Sequence, residues 1–140
     1  MMTKEQVIEF IKKRNVSFIS TVDEDGFPAM RAMLQPRKIE GKNIIWFSTN
    51  TSSNKVKELI KQPKSCVYFY CKGPYFYTGV LLRGTATVLQ DQASKNMLWL
   101  QGDTMFYKQG VTDPDYCVLR FAAQDARVYR NFKTETIQME

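Results

Sequence analysis

The strongest constraint on the fold is a recurring pattern of short β-branched runs cut by tight polar turns. VSFISTV (16–22) is rich in β-branched residues, DEDG (23–26) carries turn chemistry, and FPAMRAMLQP (27–36) alternates. In that last segment Met30, Ala32 and Leu34 fall on one face of a strand, and Ala29, Arg31 and Met33 on the other. Together the three segments predict a β-hairpin, which needs no crossover helix. EGKN (40–43) is a second turn, and IIWFST (44–49) and SCVYFYCK (65–72) are further strands. FYTGVLLRGTATVLQ (76–90) is long for one strand, and Gly79 and Gly84 mark bends within it. YCVLRFAA (116–123) and ARVYRNF (126–132) read as two closing strands, and the polar tail KTETIQME is expected to fray.

Helices fill the gaps. Thr3-Lys4-Glu5-Gln6 has capping-box spacing, and Val7, Ile8 and Ile11 follow at helical intervals, predicting a helix over 3–14. Val56, Leu59 and Ile60 mark a second helix that Pro63 ends. Asp91 can cap a third over 92–101, and 104–115 reads as a short helix with a loop. With no repeat, linker or low-complexity tract, residues 1–140 are expected to form one domain. The class is mainly β with α+β composition: six or seven antiparallel strands in a small barrel with a few peripheral helices.

Composition narrows the chemistry. The chain has no His, which removes Ser-His-Asp and Cys-His catalysis and the commonest zinc ligand. Cys66, Cys71 and Cys117 form no CxxC pair, and an odd, scattered set fits a reducing cytoplasm. The charged N-terminus does not read as a signal peptide, and no apolar run suits a membrane span. The net charge of +6 is concentrated between residues 31 and 64, where only Glu40 and Glu58 oppose eight Lys and Arg. A solvated basic face and a phosphate-bearing ligand both explain that bias. Nucleic acid is not the expected partner, because no helix-turn-helix, zinc-finger or RNP-like pattern accompanies the charge.

One segment combines these signals. TNTSSNKVKEL (49–59) follows a strand and opens a helix. A helix N-terminus leaves N–H groups unpaired and carries partial positive charge. Ser52 or Ser53 can cap it, or a phosphate can sit there with help from the hydroxyls and Lys55. The sequence is not a Walker loop. Arg31 stands mid-strand between Ala29 and Met33 on its face, where it either meets solvent or aims at an anion. Tyr68, Phe69, Tyr70, Tyr75, Phe76 and Tyr77 crowd one hairpin and are expected in the core or a subunit interface.

Taken in order, FISTVDEDGFPAMRAM, IIWFSTNTSSNKVKEL, GVLLRGTATV and YCVLRF resemble the FMN-binding split-barrel superfamily. The similarity is to its pyridoxamine 5′-phosphate oxidase-like members of the general stress protein type, over about residues 3–132. The most specific block is WFSTNTSSNKVKEL. The resemblance implies a split β-barrel homodimer with FMN in a cleft at the subunit interface. It implies that Arg31, Ala32, Met33 and Leu34 lie along the flavin, that Ser48 and Thr49 contact it, and that Ser53, Asn54 and Lys55 face its phosphate. The C-terminal Trp and Arg segment of the phosphate-ester oxidases has no counterpart at Tyr129 and Arg130. The implied activity is therefore a flavin-dependent oxidoreductase acting on an unidentified small molecule, not a true pyridoxamine 5′-phosphate oxidase. No catalytic side chain stands out. Three alternatives share the residues: a non-catalytic flavin carrier or sensor, a deazaflavin-binding reductase, and a basic nucleic-acid-binding barrel.

Overall fold

The first hairpin forms as its alternation requires. In the computed structural model, which describes residues 1–140, strands β1 (Val16–Val22) and β2 (Pro28–Leu34) pair antiparallel, with Ile19 opposite Arg31. Asp23 closes the turn by accepting from the backbone N–H of Asp25 and Phe27, both at 2.9 Å, and Gly26 takes the left-handed backbone at φ 86°. Helix α1 (Lys4–Lys12) precedes the hairpin and is held by a complete Thr3–Gln6 capping box. β3 (Lys38–Glu40), β4 (Ile44–Asn50), α2 (Asn54–Lys61), β5 (Lys64–Lys72), β6 (Tyr77–Leu89), α3 (Gln92–Leu98), β7 (Tyr116–Arg130) and β8 (Lys133–Gln138) follow.

All eight strands join one antiparallel sheet in the order β2-β1-β5-β6-β7-β4-β3, with β8 pairing the second half of β7. The sheet curls as a split barrel and does not close. Two differences from the sequence reading have physical causes. The pair of strands expected at 116–123 and 126–132 is one strand, because a register shift between Arg83 and Gly84 lets β7 bend without breaking. Gly84 is required there: a Cβ would lie 2.0 Å from the Ala122 carbonyl oxygen. The polar tail expected to fray instead forms β8, where alternation buries Ile137 and leaves Thr134, Thr136 and Gln138 outside.

The main core fills the curl with Val7, Ile11, Ile19, Ile45, Phe47, Phe69, Leu82 and Phe121 among its members. Each such side chain contributes about 1.5–3 kcal/mol of burial. A smaller cluster of Trp46, Leu98, Tyr107, Tyr116 and Val118 lies on the other face of β4 and β7, under the excursion from α3 to β7. Polar contacts pin that excursion. Arg37 makes a two-pronged pair with Asp103 at 2.8 and 3.0 Å, which holds the Asp103 carboxyl below the usual carboxylate range. Lys95, buried, donates to the Asp113 carbonyl at 2.9 Å. No helix is long and apolar enough to cross a membrane.

Candidate functional site

Helix α2 begins without a cap. Ser53 occupies the N-cap position, yet its side chain makes no capping hydrogen bond. Its Oγ instead donates backwards to the Asn50 carbonyl at 2.8 Å. No acidic residue stands in the first turn; the Asp115 carboxylate takes the Ser52 N–H just before it, while the N–H groups of the first turn itself have no side-chain partner. Lys55 adds a full charge. Its Nζ is half-buried and has one hydrogen-bond partner, Ser53 Oγ at 3.2 Å, and no carboxylate pairs with it. Burial, with the Arg31 charge adding to it, pushes the Lys55 pKa below that of an ordinary lysine. An anion seated here would relieve both.

The turn that presents this terminus is fixed from a distant part of the chain. Thr51 N–H donates to the Asp115 carbonyl at 2.7 Å, and Ser52 N–H to the Asp115 carboxylate at 2.8 Å. That second contact keeps the Asp115 carboxyl below its usual range. Tyr107 OH reaches the Thr49 carbonyl at 3.0 Å, and burial pushes its pKa up to about 12. The neutral phenol therefore keeps its proton to donate throughout the physiological range.

Arg31 points to the same neighbourhood. Its Nη1 donates to Thr21 Oγ1 at 2.7 Å and its Nη2 to Glu58 Oε1 at 3.0 Å, while Thr21 Oγ1 donates to Glu58 Oε1. Glu58 is on α2, one turn after Lys55, so the triad ties β1, β2 and α2 together beside the open terminus. A sequence model described as pyridoxamine 5′-phosphate oxidase like matches residues 2–139. The chain belongs to the pyridoxamine 5′-phosphate oxidase-like family.

Solved structures agree with this fold. A protein related to general stress protein 26, of the pyridoxinephosphate oxidase family from Clostridium acetobutylicum, is 35% identical with a TM-score of 0.84, over 97% of this chain and 94% of that one. General stress protein 26 from Bacillus anthracis is 18% identical with a TM-score of 0.75, over 96% and 97%. A heme binding protein from Mycobacterium smegmatis is 15% identical with a TM-score of 0.72, over 93% of this chain and 56% of that one. The last two show the fold alone. Among curated proteins no sequence matches.

Within this pyridoxamine 5′-phosphate oxidase-like chain, the residues implied by resemblance fall into three groups. Arg31, Ser53, Asn54 and Lys55 gather around the first turn of α2, with Asn54 exposed at its first position. Ala32, Met33 and Leu34 continue along β2, but their side chains diverge: Met33 is buried in the main core, while Ala32 and Leu34 face outward. What they share is backbone on an edge strand, with one side of the ladder unpaired. Ser48 and Thr49 also diverge. Thr49 alternates with Ile45 and Phe47 on the main-core face. Ser48 alternates with Trp46 on the face of the smaller cluster, where its buried Oγ has no hydrogen-bond partner of good geometry. Thr21, Glu58, Tyr107 and Asp115 went unread in the sequence. Glu58 had one available signal, its helical spacing of three from Lys55. Thr21 had another, the β1–β2 hairpin, which sets it diagonally across from Arg31; Tyr107 and Asp115 act from more than fifty residues away and leave none.

Proposed function

We propose that this protein binds FMN and uses it as an oxidoreductase toward an unidentified small molecule, as a cytoplasmic homodimer. The observation that carries the reading is the uncapped N-terminus of α2 with a half-buried, carboxylate-free Lys55 beside it. The donor set suits a phosphate monoester: free backbone N–H groups, an ammonium and a nearby guanidinium, all of them donors. In this reading Lys55 and the first turn of α2 hold the phosphate, with Ser53 and Asn54 bordering it. Arg31 stays oriented by Thr21 and Glu58 and adds charge from β2. The free edge of β2 at Ala32, Met33 and Leu34 offers backbone groups to a flat ring, and Ser48 and Thr49 flank it from the end of β4.

When bound, FMN would supply hydride and electron transfer at its ring, chemistry that needs no His. The chain's own task is to orient the ring and limit water around it. A second copy suits that task. The outward face of the β1–β2 hairpin exposes Met30 and Leu34 at 67% and 69%, with Phe18 and Val22 beside them, an apolar surface that a partner subunit would cover. A haem reading finds less support, since there is no His to serve as an axial ligand.

Fluorescence titration with FMN and riboflavin, with sedimentation of the same sample, tests the proposal. Saturable FMN binding by a dimer supports it, and absence of flavin binding removes it. Stopped-flow mixing of the FMN-loaded protein with nicotinamide donors then separates an enzyme from a flavin carrier. Tighter binding of a deazaflavin than of FMN would replace the cofactor.

A further inference from the structure

The crowded aromatics of the β5–β6 hairpin do not go where a core would take them. Only Phe69 is fully buried. Tyr70, Phe76 and Tyr77 stay 41–47% exposed and join Tyr129 of β7 and Phe132 of the β7–β8 turn around a cavity of about 200 Å³. Their rings are already ordered against one another. Tyr77 stacks on Tyr129 at 4.7 Å, Tyr70 lies 5.5 Å from Tyr77, and Phe132 meets Phe76 edge-on at 4.8 Å. Gly73 tightens the loop beneath them by donating to the Phe76 carbonyl at 2.7 Å.

Phe132 is the informative member. The two-residue turn between Arg130 and Lys133 places Asn131 at φ 52° and Phe132 at φ 62°. Such a turn favours Asn followed by Gly, and a bulky residue in the left-handed region is strained. The strain secures no core packing, because Phe132 is 73% exposed. Its ring serves to wall the cavity.

The surroundings carry one sign of charge. Ser17 pairs with Phe69, so the residues before β1 run beside the end of β5. The three segments that meet at this end, 13–15, 72–77 and 130–133, contain Lys13, Arg14, Lys72, Arg130 and Lys133 and no Asp or Glu. Lys72 is the charged residue that lines the cavity; the others stand further out, and the Arg14 guanidinium lies over the Phe10 ring at 4.5 Å. The place is separate from the α2 terminus. Arg31 stands in register with Ile19 and Val67, and Lys72 lies five residues further along β5, about 17 Å at the usual strand rise.

We propose that this aromatic cup is a second binding site, for a small planar aromatic anion: one ring or a fused pair bearing a carboxylate, sulfonate or phosphate. The rings stack on it and Lys72 holds its charge, within surroundings that are otherwise basic. The volume suits one such group and not a run of stacked bases, which disfavours a single-stranded nucleic acid. The inference does not depend on FMN binding.

Isothermal titration of the full chain tests it with 2-naphthoate, neutral 2-naphthalenemethanol, non-aromatic cyclohexanecarboxylate and an oligothymidylate. The expected result is one saturable 2-naphthoate site per chain, about tenfold or more tighter than either small control. Phe132→Gly installs the residue the turn prefers, so the chain folds while the cup loses a wall, and 2-naphthoate weakens by about tenfold. Lys72→Gln brings 2-naphthoate down toward the neutral probe. Both variants keep wild-type FMN affinity. The proposal is overturned by absence of 2-naphthoate binding at millimolar concentration, equal binding of charged and neutral probes, or an unchanged Phe132→Gly titration. Tighter binding of the oligothymidylate would make the cup a nucleic-acid platform instead, and loss of FMN binding in Phe132→Gly would make it part of the flavin cleft.

Discussion

The N-termini of α2 and α3 face the same electrostatic problem and meet it differently. Asp91 stands before α3 and accepts from Ser94 N–H at 2.9 Å, so that terminus is closed by the chain's own carboxylate. Ser53 stands before α2 with its hydroxyl turned away, no acid stands in the first turn, the Asp115 carboxylate reaches only the preceding Ser52 N–H, and a half-buried lysine leans on the opening. A closed terminus serves stability. An open one, with further positive charge added, is costly in isolation and makes sense as a place for an anion.

Making the open terminus resemble the closed one should break the comparison most. Ser53→Asp places a carboxylate where the phosphate is proposed to sit. It should weaken FMN by roughly a hundredfold through blocked N–H groups and like-charge repulsion, while Tm holds or rises. Equilibrium FMN titration beside a thermal melt reads both. The next effect concerns the excursion that braces the α2 turn. Asp103→Ala leaves Arg37 largely buried without its partner and should cost about 2 kcal/mol in urea unfolding. The same pair predicts an acid limb. The folded pKa of Asp103 lies below its unfolded value of about 3.9, so its contribution is complete above that pH and is lost as pH falls through the folded value. In Asp103→Asn that part of the acid dependence should vanish.

Opening the closed terminus is a smaller change. Asp91→Ala should lower Tm by no more than about 5 °C and leave flavin affinity untouched. The smallest effect is on pH. The lowered Lys55 pKa means the free protein loses that proton sooner than an ordinary lysine would, whereas a bound phosphate favours keeping it. The preference for FMN over riboflavin should therefore shrink as pH rises through the lysine range, and a preference flat in pH would separate Lys55 from the phosphate.

The same contrast explains what could be read from sequence. The β1–β2 hairpin, the end of α2 at Pro63 and the bend at Gly84 are local, and local residue types announce them. Strand β8 was hidden because its partner is an outer strand half. Only Ile137 within β8 and Met139 just beyond it turn inward between polar residues, too little apolar pattern to distinguish a strand from a tail. At the candidate site, the open terminus could be read in TNTSSNKVKEL as one of two possibilities, cap or anion seat. The direction of one Ser53 hydroxyl removes the side-chain cap, and no residue pattern announces that direction; the anion seat is the proposal that follows. Asp115 and Tyr107, which hold the turn, come from more than fifty residues away. The aromatic cup was legible as a cluster whose place, core or subunit interface, stayed open, because burial depends on what packs against a hairpin and not on its composition.

The central claim is that the open terminus of α2 with Lys55 is a phosphate seat. The most direct measurement is a paired titration of FMN and riboflavin against the wild type and Lys55→Ala. The account predicts that Lys55→Ala weakens FMN by about thirtyfold, the worth of one charge-assisted hydrogen bond, and shifts riboflavin by less than about twofold. Equal losses for the two ligands, or a wild type that binds neither, would contradict it.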